Sequence, residues 1–170
     1  MLEIKTAEEF IETDVDFQTK RRAARQSPVL QAIYREFLAR GGPVSAEQIA
    51  ETLPGIPRSA LERDLAVLDA DDLIQLTDGH VEIAYPFSAP PTAFVVRLAD
   101  GRERYTCCAI DALGMAPMLG RHVDVRGQCR HCGDPLAFAV EPDGPGPEAA
   151  GVMVWVGRRC EAGARALTGL

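Results

Sequence analysis

The amino-acid sequence predicts an α+β fold, in which a winged-helix-like domain of three helices and a hairpin precedes a small α+β domain. The first half of the chain has helical periodicity followed by a hairpin signal, and the second half has short β-prone runs around one central helix. Ala89-Pro90-Pro91 separates the two halves. We therefore expect a charged leader over 1–26, a winged helix-turn-helix-like domain over 27–88, and an α+β domain of mostly antiparallel strands over 92–170.

Each predicted helix of the N-terminal half has its own start signal. Ser27-Pro28 combines a favourable N-cap with a proline at the first helical position, and Gly41-Gly42 ends that helix. Ser45 and Gln48 have the spacing of a capping box for the second helix. The third helix begins at Pro57, and its apolar stripe consists of Leu61, Leu65 and Leu68.

A hairpin signal follows the third helix. The β-prone runs 73–76 and 81–85 flank Asp78-Gly79, a dipeptide typical of tight hairpin turns. Three helices and a hairpin in this order ordinarily indicate a DNA-binding module. However, the third helix and its exit, residues 58–72, carry two arginines against five acids, so DNA phosphates would repel this surface. We expect it to cover the following domain rather than to bind DNA.

The C-terminal half is predicted to have one helix among short strands. The helix runs from Cys107 or Cys108 towards Leu119. The β-prone runs predict strands over 92–99, 102–106, 122–126, 136–140 and 152–156. This pattern is typical of a small α+β domain.

The composition restricts the classes of function. The net charge of −7 argues against a general nucleic-acid or membrane-surface binder, and no apolar run approaches the roughly 20 residues that span a bilayer. The N-terminus resembles no signal peptide, so we expect a cytoplasmic protein. The five cysteines are an odd number and include an adjacent pair and a Cys-x-x-Cys, which favours reduced thiols over disulfides.

The spacing of Cys108 and Asp111 predicts a thiol and a carboxyl on one face of a helix. A cysteine at a helix N-terminus lies at the positive end of the helix dipole, so we expect its thiolate to be favoured. A soft nucleophile beside a proton carrier indicates a reactive site. The alternative interpretation is a buried cysteine with a purely structural role, next to an acid on the helix surface.

A second cysteine motif, Cys129-Arg-His-Cys132-Gly133, has the form of half a zinc knuckle. Tetrahedral zinc needs two more ligands, and the sequence does not choose among the candidates Cys107, Cys108, Cys160, His122 and His131. A structural zinc is therefore one interpretation, and a reduced thiol pair in a turn is the other.

Residues 104–121 resemble the active-site segment of the organomercurial (alkylmercury) lyases. In that family a tyrosine, a cysteine, an aspartate three residues later, and a helix that ends near a proline and a Leu-x-Gly occur in the same register as Tyr105, Cys108 and Asp111 here. Cys129 and Gly133-Asp134-Pro135 match a second segment of the family. The resemblance extends over about residues 27–157 and is most specific over 108–120.

This resemblance implies protonolysis of a carbon–mercury bond. Two cysteine thiolates would capture the mercury, a soft ion that prefers sulfur, and a carboxyl would pass a proton to the departing carbon. By position Cys108 matches the first catalytic cysteine and Asp111 the acid, whereas Cys129 matches a structural cysteine. Cys160 matches the second catalytic cysteine if a gap is allowed, and Cys107 is the alternative second thiol. No organic cofactor is implied, but an external thiol would remove the product ion.

The rival hypothesis is a non-enzymatic metal-binding module or metal sensor on the same scaffold. In it Cys108, Cys129, Cys132 and Cys160 together hold zinc, copper or mercury. A closed four-thiol site would leave no room for a substrate, whereas a lyase needs an open two-thiol site beside Asp111.

Overall fold

The computed structural model describes residues 23–24 and 26–154, which form an α+β fold. Its helices are α1 (Pro28–Arg40), α2 (Ala46–Thr52), α3 (Arg58–Ala70) and α4 (Ala109–Leu119), with a 3-10 turn at Pro147–Ala149. Its strands are β1 (Val44–Ser45), β2 (Ile74–Thr77), β3 (His80–Ala84), β4 (Phe87–Ser88), β5 (Phe94–Arg97), β6 (Glu103–Thr106), β7 (Val123–Gln128), β8 (Pro135–Glu141) and β9 (Gly144–Pro145).

One antiparallel sheet passes through both halves of the described chain. Its strands follow the order β1-β3-β4-β6-β5-β7-β8-β9, and β2 pairs with β3 beside this path. The short strand β4 connects the halves, because Phe87 lies opposite Ala84 of β3 on one side and Thr106 of β6 on the other. The predicted α+β class is confirmed. The sheet continues across Ala89-Pro90-Pro91, and the division into separate domains stays a prediction.

The helix boundaries follow the local start and stop signals. The Ser27 hydroxyl accepts a hydrogen bond from the backbone N–H of Leu30, and α1 ends at Gly41 in the left-handed region, with φ 97°. At α2 both bonds of the predicted capping box are present: the Gln48 N–H donates to Ser45 Oγ at 3.2 Å, and the Ser45 N–H donates to Gln48 Oε1 at 2.8 Å. Sequence-local hydrogen bonding therefore sets the starts of α1 and α2.

Aromatic packing joins α1 to the sheet. Phe37 of α1 and Phe87 of β4 are fully buried and stack with ring centroids 5.5 Å apart. Gly42, with φ 73°, passes so close to Phe37 that an added Cβ would lie 2.5 Å from the ring. Any side chain at this position would therefore displace the ring or unwind the turn, which is why only glycine fits.

Two arginines attach the β5–β6 hairpin to the C-terminal end of α1. Arg104, which is 8% exposed, donates through Nε to the Phe37 carbonyl at 2.6 Å and also bonds the Leu38 carbonyl. Arg102 donates to the Ala39 carbonyl at 2.8 Å. Cationic groups at a helix C-terminus stabilise it by satisfying its free carbonyls and opposing the negative end of the dipole. The strand that leads into α4 is thereby held against α1.

Three short strands and one predicted strand depart from the sequence-based expectation. The two-residue strands β1, β4 and β9 were not predicted, because two residues are too few to show periodicity. The buried strand predicted over 152–156 is wrong for its described part: residues 152–154 lie outside any strand, and Met153 is 76% exposed. Most of the predicted leader 1–26, and residues 155–156, lie outside the described residues.

In the part of the chain that the structure describes, no helix is both long and apolar enough to cross a bilayer.

Candidate active site

The candidate site lies where β6 passes into α4. Cys108 is the N-cap residue of α4, with an extended backbone (φ −152°), and its carbonyl accepts the first helical hydrogen bond from Ala112 at 3.0 Å. One turn further on is Asp111, in the first turn of the helix. An N-cap and the third helical residue face each other across the first turn, so this junction places a thiol beside a carboxyl.

The structure brings Cys108 and Asp111 into direct contact. The Cys108 thiol donates to Asp111 Oδ2, with 3.1 Å between sulfur and oxygen. Both side chains are half-buried. The pairing that the three-residue spacing predicts is therefore present in the folded chain.

The protonation state of Cys108 differs from the expectation. Burial, the negative charge of Asp111 and the hydrogen bond to that carboxylate raise the pKa of Cys108 to about 12. The backbone N–H groups of Asp111 and Ile110 at the helix start act in the opposite direction but are outweighed. The expectation that the helix N-terminus favours the thiolate is thus wrong for the free site, because removal from water and a nearby like charge dominate. At neutral pH the site holds a thiol proton between sulfur and carboxylate.

The adjacent Cys107 has different partners. It is 5% exposed and donates through Sγ to the Phe87 carbonyl of β4 at 3.2 Å. It packs with Ile83 and Tyr85 in a small apolar cluster. This sulfur therefore contributes to the junction between β4 and β6, and its neighbour Cys108 supplies the thiol that contacts the acid.

The second cysteine motif forms a tight turn between β7 and β8. The turn is closed by hydrogen bonds from the Gly133 N–H to the Cys129 carbonyl at 2.9 Å and from the Cys129 N–H to the Asp134 carbonyl at 2.8 Å. Gly133 has φ 76°, a conformation that favours glycine. The Cys132 thiol is exposed and donates to Asp134 Oδ2 at 3.1 Å.

The two sulfurs of this turn have opposite electrostatic surroundings. The pKa of Cys129 is lowered by the backbone N–H groups of Cys132 and His131 and by the Cys132 thiol, all of which stabilise its thiolate. The pKa of Cys132 is raised: the backbone N–H of Asp134 favours its thiolate, but its own hydrogen bonds to the Asp134 carboxylate and to Cys129 outweigh that effect. The first thiolate to form in this turn is therefore that of Cys129.

Among the described residues, the candidate zinc ligands do not gather around one point. Within residues 23–24 and 26–154, no three side chains among His, Cys, Asp and Glu gather as metal ligands. His122 has both ring nitrogens engaged by carboxylates, Glu141 Oε1 at 2.6 Å and Asp124 Oδ1 at 3.1 Å, and these contacts raise its pKa. Cys160, predicted both as second catalytic thiol and as metal ligand, lies outside the described residues.

Two groups at these sites were missed in the sequence. Asp134 lies only two residues after Cys132, and this thiol–acid spacing is a signal that could have identified it. The Phe87 carbonyl that holds Cys107 has no such signal, because β4 and β6 meet only in the folded sheet.

Comparisons with known proteins identify the family. Residues 87–168 match the model of the alkylmercury lyase family, MerB. The alkylmercury lyase of Streptomyces lividans is 33% identical over 123 residues, which is 71% of this chain and 54% of that lyase. The alkylmercury lyase of Bacillus cereus is 28% identical over 144 residues, covering 82% of this chain and 62% of that lyase.

A solved structure shares the fold. The crystal structure of the mercury-bound form of MerB2 superposes with a TM-score of 0.61 over 76% of this chain and 64% of that one, at 20% sequence identity. The chain spans between 54% and 62% of the length of these two curated relatives. The matched family model includes the whole β6–α4 junction and the cysteine turn. On this evidence the chain belongs to the alkylmercury lyase family.

Proposed function

We propose that this protein cleaves carbon–mercury bonds by protonolysis, with Cys108 as the thiol that binds mercury and Asp111 as the proton carrier. The observation that carries the proposal is the 3.1 Å contact between Cys108 Sγ and Asp111 Oδ2 at the start of α4. Membership of the alkylmercury lyase family supports the same chemistry.

The raised pKa of Cys108 suits this reaction, because the free site already holds the proton that the reaction consumes. When the sulfur binds the mercury of an organomercurial, its proton passes along the existing hydrogen bond to the Asp111 carboxylate. The negative charge that disfavours the free thiolate is then neutralised, and the sulfur gains a soft cation in place of a proton.

The second step breaks the carbon–mercury bond. The Asp111 carboxyl donates the proton to the carbon atom, the bonding electron pair of carbon and mercury forms the new carbon–hydrogen bond, and the hydrocarbon leaves. Mercury(II) stays on sulfur and the carboxylate is restored. General acid catalysis by a positioned carboxyl typically contributes about 10²- to 10⁴-fold to the rate.

A second thiolate would stabilise the ion that remains after cleavage. We assign this role to Cys160, since the Cys107 sulfur is buried and bonded to the Phe87 carbonyl. An external thiol then exchanges with the protein sulfurs and removes the product ion. The chemistry needs no organic cofactor, and a cytoplasmic location, where thiols are abundant, stays a prediction.

The deciding experiment is benzene release from a phenylmercury salt in excess monothiol, for the intact protein, Cys108→Ala and Asp111→Ala. We expect turnover by the intact protein and its loss in both variants, each checked for native circular dichroism. An intact protein that binds mercury but releases no benzene would contradict the proposal.

The two other functions receive no support from the described residues. The metal-sensor hypothesis requires Cys108, Cys129 and Cys132 near one ion, and these residues form no such group. If the purified protein contained one zinc ion per chain and Cys108→Ala lost it, the metal-sensor hypothesis would be supported. DNA binding through α3 is disfavoured because Arg58 is paired with Glu47 at 2.8 Å and Glu62 at 2.9 Å, so it has little charge to offer phosphates.

A further inference from the structure

The Cys129–Cys132 turn has the geometry of a chelating dithiol. The hydrogen bonds from Gly133 and Cys129 hold the backbone in a tight loop, and the Cys132 thiol lies within hydrogen-bonding reach of the Cys129 sulfur. The Cys-x-x-Cys spacing therefore places both sulfurs on one short, closed turn. A ligand that binds both needs little reordering of the chain, which reduces the entropic cost of binding.

The surroundings restrict what can bind there. Asp134 Oδ2 lies 3.1 Å from the Cys132 sulfur, but within the described residues no three side chains among His, Cys, Asp and Glu are grouped so that they could hold a metal ion. Zinc in proteins almost always takes four ligands, so two thiols alone would hold it weakly. Soft ions such as Hg²⁺ and Cu⁺ bind thiolates strongly and accept a low coordination number.

The turn is also accessible and equipped for the proton release that metal binding requires. Cys132 is exposed, so an ion or an ion carried by a small thiol can reach it from solvent. The Cys132 thiol proton points to Asp134 Oδ2, at 3.1 Å, and the backbone N–H groups of Cys132 and His131 are directed at the Cys129 sulfur. The N–H groups stabilise the Cys129 thiolate, and the Asp134 carboxylate accepts the Cys132 proton when a metal ion displaces it.

We propose that Cys129 and Cys132 form a second binding site, for one soft, two-coordinate metal ion such as Hg²⁺ or Cu⁺, separate from Cys108 and Asp111. Binding replaces two S–H bonds with two sulfur–metal bonds and releases two protons to the solvent. The proposal does not depend on the cleavage reaction. In a lyase this turn would hold inorganic mercury(II) after it has left the catalytic thiol.

The test is the number of Hg²⁺ ions that the full chain retains after equilibration with inorganic Hg²⁺ and a large excess of a monothiol, followed by desalting. A chelating dithiol resists exchange with the monothiol, whereas a single cysteine does not. We expect Cys132→Ser to retain about one ion per chain fewer than the intact protein, because the chelate is lost. The matched control is His131→Ala, which alters the same turn but keeps both thiols and should retain the ion.

Equal retention by the intact protein and Cys132→Ser would overturn the proposal. Zn²⁺ retained under the same wash and lost in Cys132→Ser would also overturn it, since it would indicate a four-ligand site. If Cys132→Ser does not fold, alkylation of the intact protein decides: Hg²⁺ should protect Cys129 and Cys132 together, and protection of neither would contradict the site.

Benzene release from phenylmercury, measured on the same preparation, separates this proposal from the proposed function. If phenylmercury is cleaved but the intact protein and Cys132→Ser retain the same number of ions, the second site is contradicted and the proposed lyase function is supported. A difference in retained ion without cleavage supports the second site and contradicts the lyase.

Discussion

Two thiol–carboxylate pairs in this protein have the same contact distance and different surroundings. Cys108 donates to Asp111 at 3.1 Å at the start of α4, and Cys132 donates to Asp134 at 3.1 Å in the turn between β7 and β8. The first pair is half-buried, and its cysteine has a pKa raised to about 12. The second is exposed, and the pKa of Cys132 is also raised, with the hydrogen bonds to Asp134 and Cys129 ahead of burial among the causes of the rise.

The comparison separates the effect of the carboxylate from the effect of burial. A nearby acid opposes thiolate formation in both pairs, but water screens the exposed acid, and desolvation is the largest cause of the shift at Cys108. The buried pair therefore stores a proton for transfer, while the exposed turn, with Cys129 favoured as thiolate, is suited to bind an ion. Similar contacts thus support different chemistry.

The largest expected effect concerns catalysis at the buried pair. Asp111→Asn removes the proton carrier while keeping the side-chain volume, so we expect phenylmercury cleavage to fall by about 10²- to 10⁴-fold. Asp64→Asn, which changes an exposed acid on α3, is the matched control and should keep the intact rate. A rate for Asp111→Asn within about twofold of the intact protein would mean that Asp111 is not the proton donor.

The next effect is a contrast in thiol reactivity. At pH 8 we expect iodoacetamide to modify Cys129 about 30-fold faster than Cys108, because few Cys108 thiols are ionised, although the rarer thiolate is intrinsically more nucleophilic. Peptide mass spectrometry after timed quenching measures both rates in one sample. Equal rates in the native protein would show that burial and Asp111 do not hold the Cys108 proton.

A smaller effect is the response of each cysteine to loss of its acid. Asp111→Asn should lower the pKa of Cys108, and Asp134→Asn should lower the pKa of Cys132 by less, because the exposed charge is screened. Thiolate absorbance near 240 nm, followed against pH in each variant, gives both shifts. A larger pKa shift of Cys132 in Asp134→Asn than of Cys108 in Asp111→Asn would mean that the exposed acid acts on its cysteine more strongly than the half-buried acid does.

The smallest effect is on stability at alkaline pH. The folded pKa of Cys108 lies above its ordinary value of 9, so the neutral thiol favours the folded state below pH 9, and this contribution is lost as pH rises towards 12. Between pH 8 and 10.5 we expect the free energy of unfolding of the intact protein to fall by about 1–2 kcal/mol relative to Cys108→Ser. Urea denaturation of both proteins at the two pH values measures the difference, and parallel losses would contradict the assigned burial.

Local patterns predicted the elements whose hydrogen bonds close within a few residues. The capping box of Ser45 and Gln48, the Gly41 end of α1 and the turn at Asp78-Gly79 are all observed. The same reasoning found Cys108 and Asp111, since their three-residue spacing becomes a contact in any helix that starts at Cys108.

Contacts between distant segments could not be predicted from such patterns. The two-residue strand β4 becomes a strand only because β3 and β6 lie on either side of it. The bonds from Arg102 and Arg104 to the end of α1 join residues more than sixty positions apart. Neither periodicity nor turn chemistry carries information about such pairs.

The sequence by itself determined which groups meet at the start of α4 and in the cysteine turn, because both arrangements are local. Only the tertiary structure decided how those groups ionise. The helix N-terminus alone predicts a lowered pKa and a thiolate at Cys108. However, the packing of β6 and α4 removes the sulfur from water. This desolvation, together with the negative charge of Asp111, raises the pKa of Cys108 instead. Burial depends on the whole fold, so the direction of a pKa shift cannot be obtained from spacing.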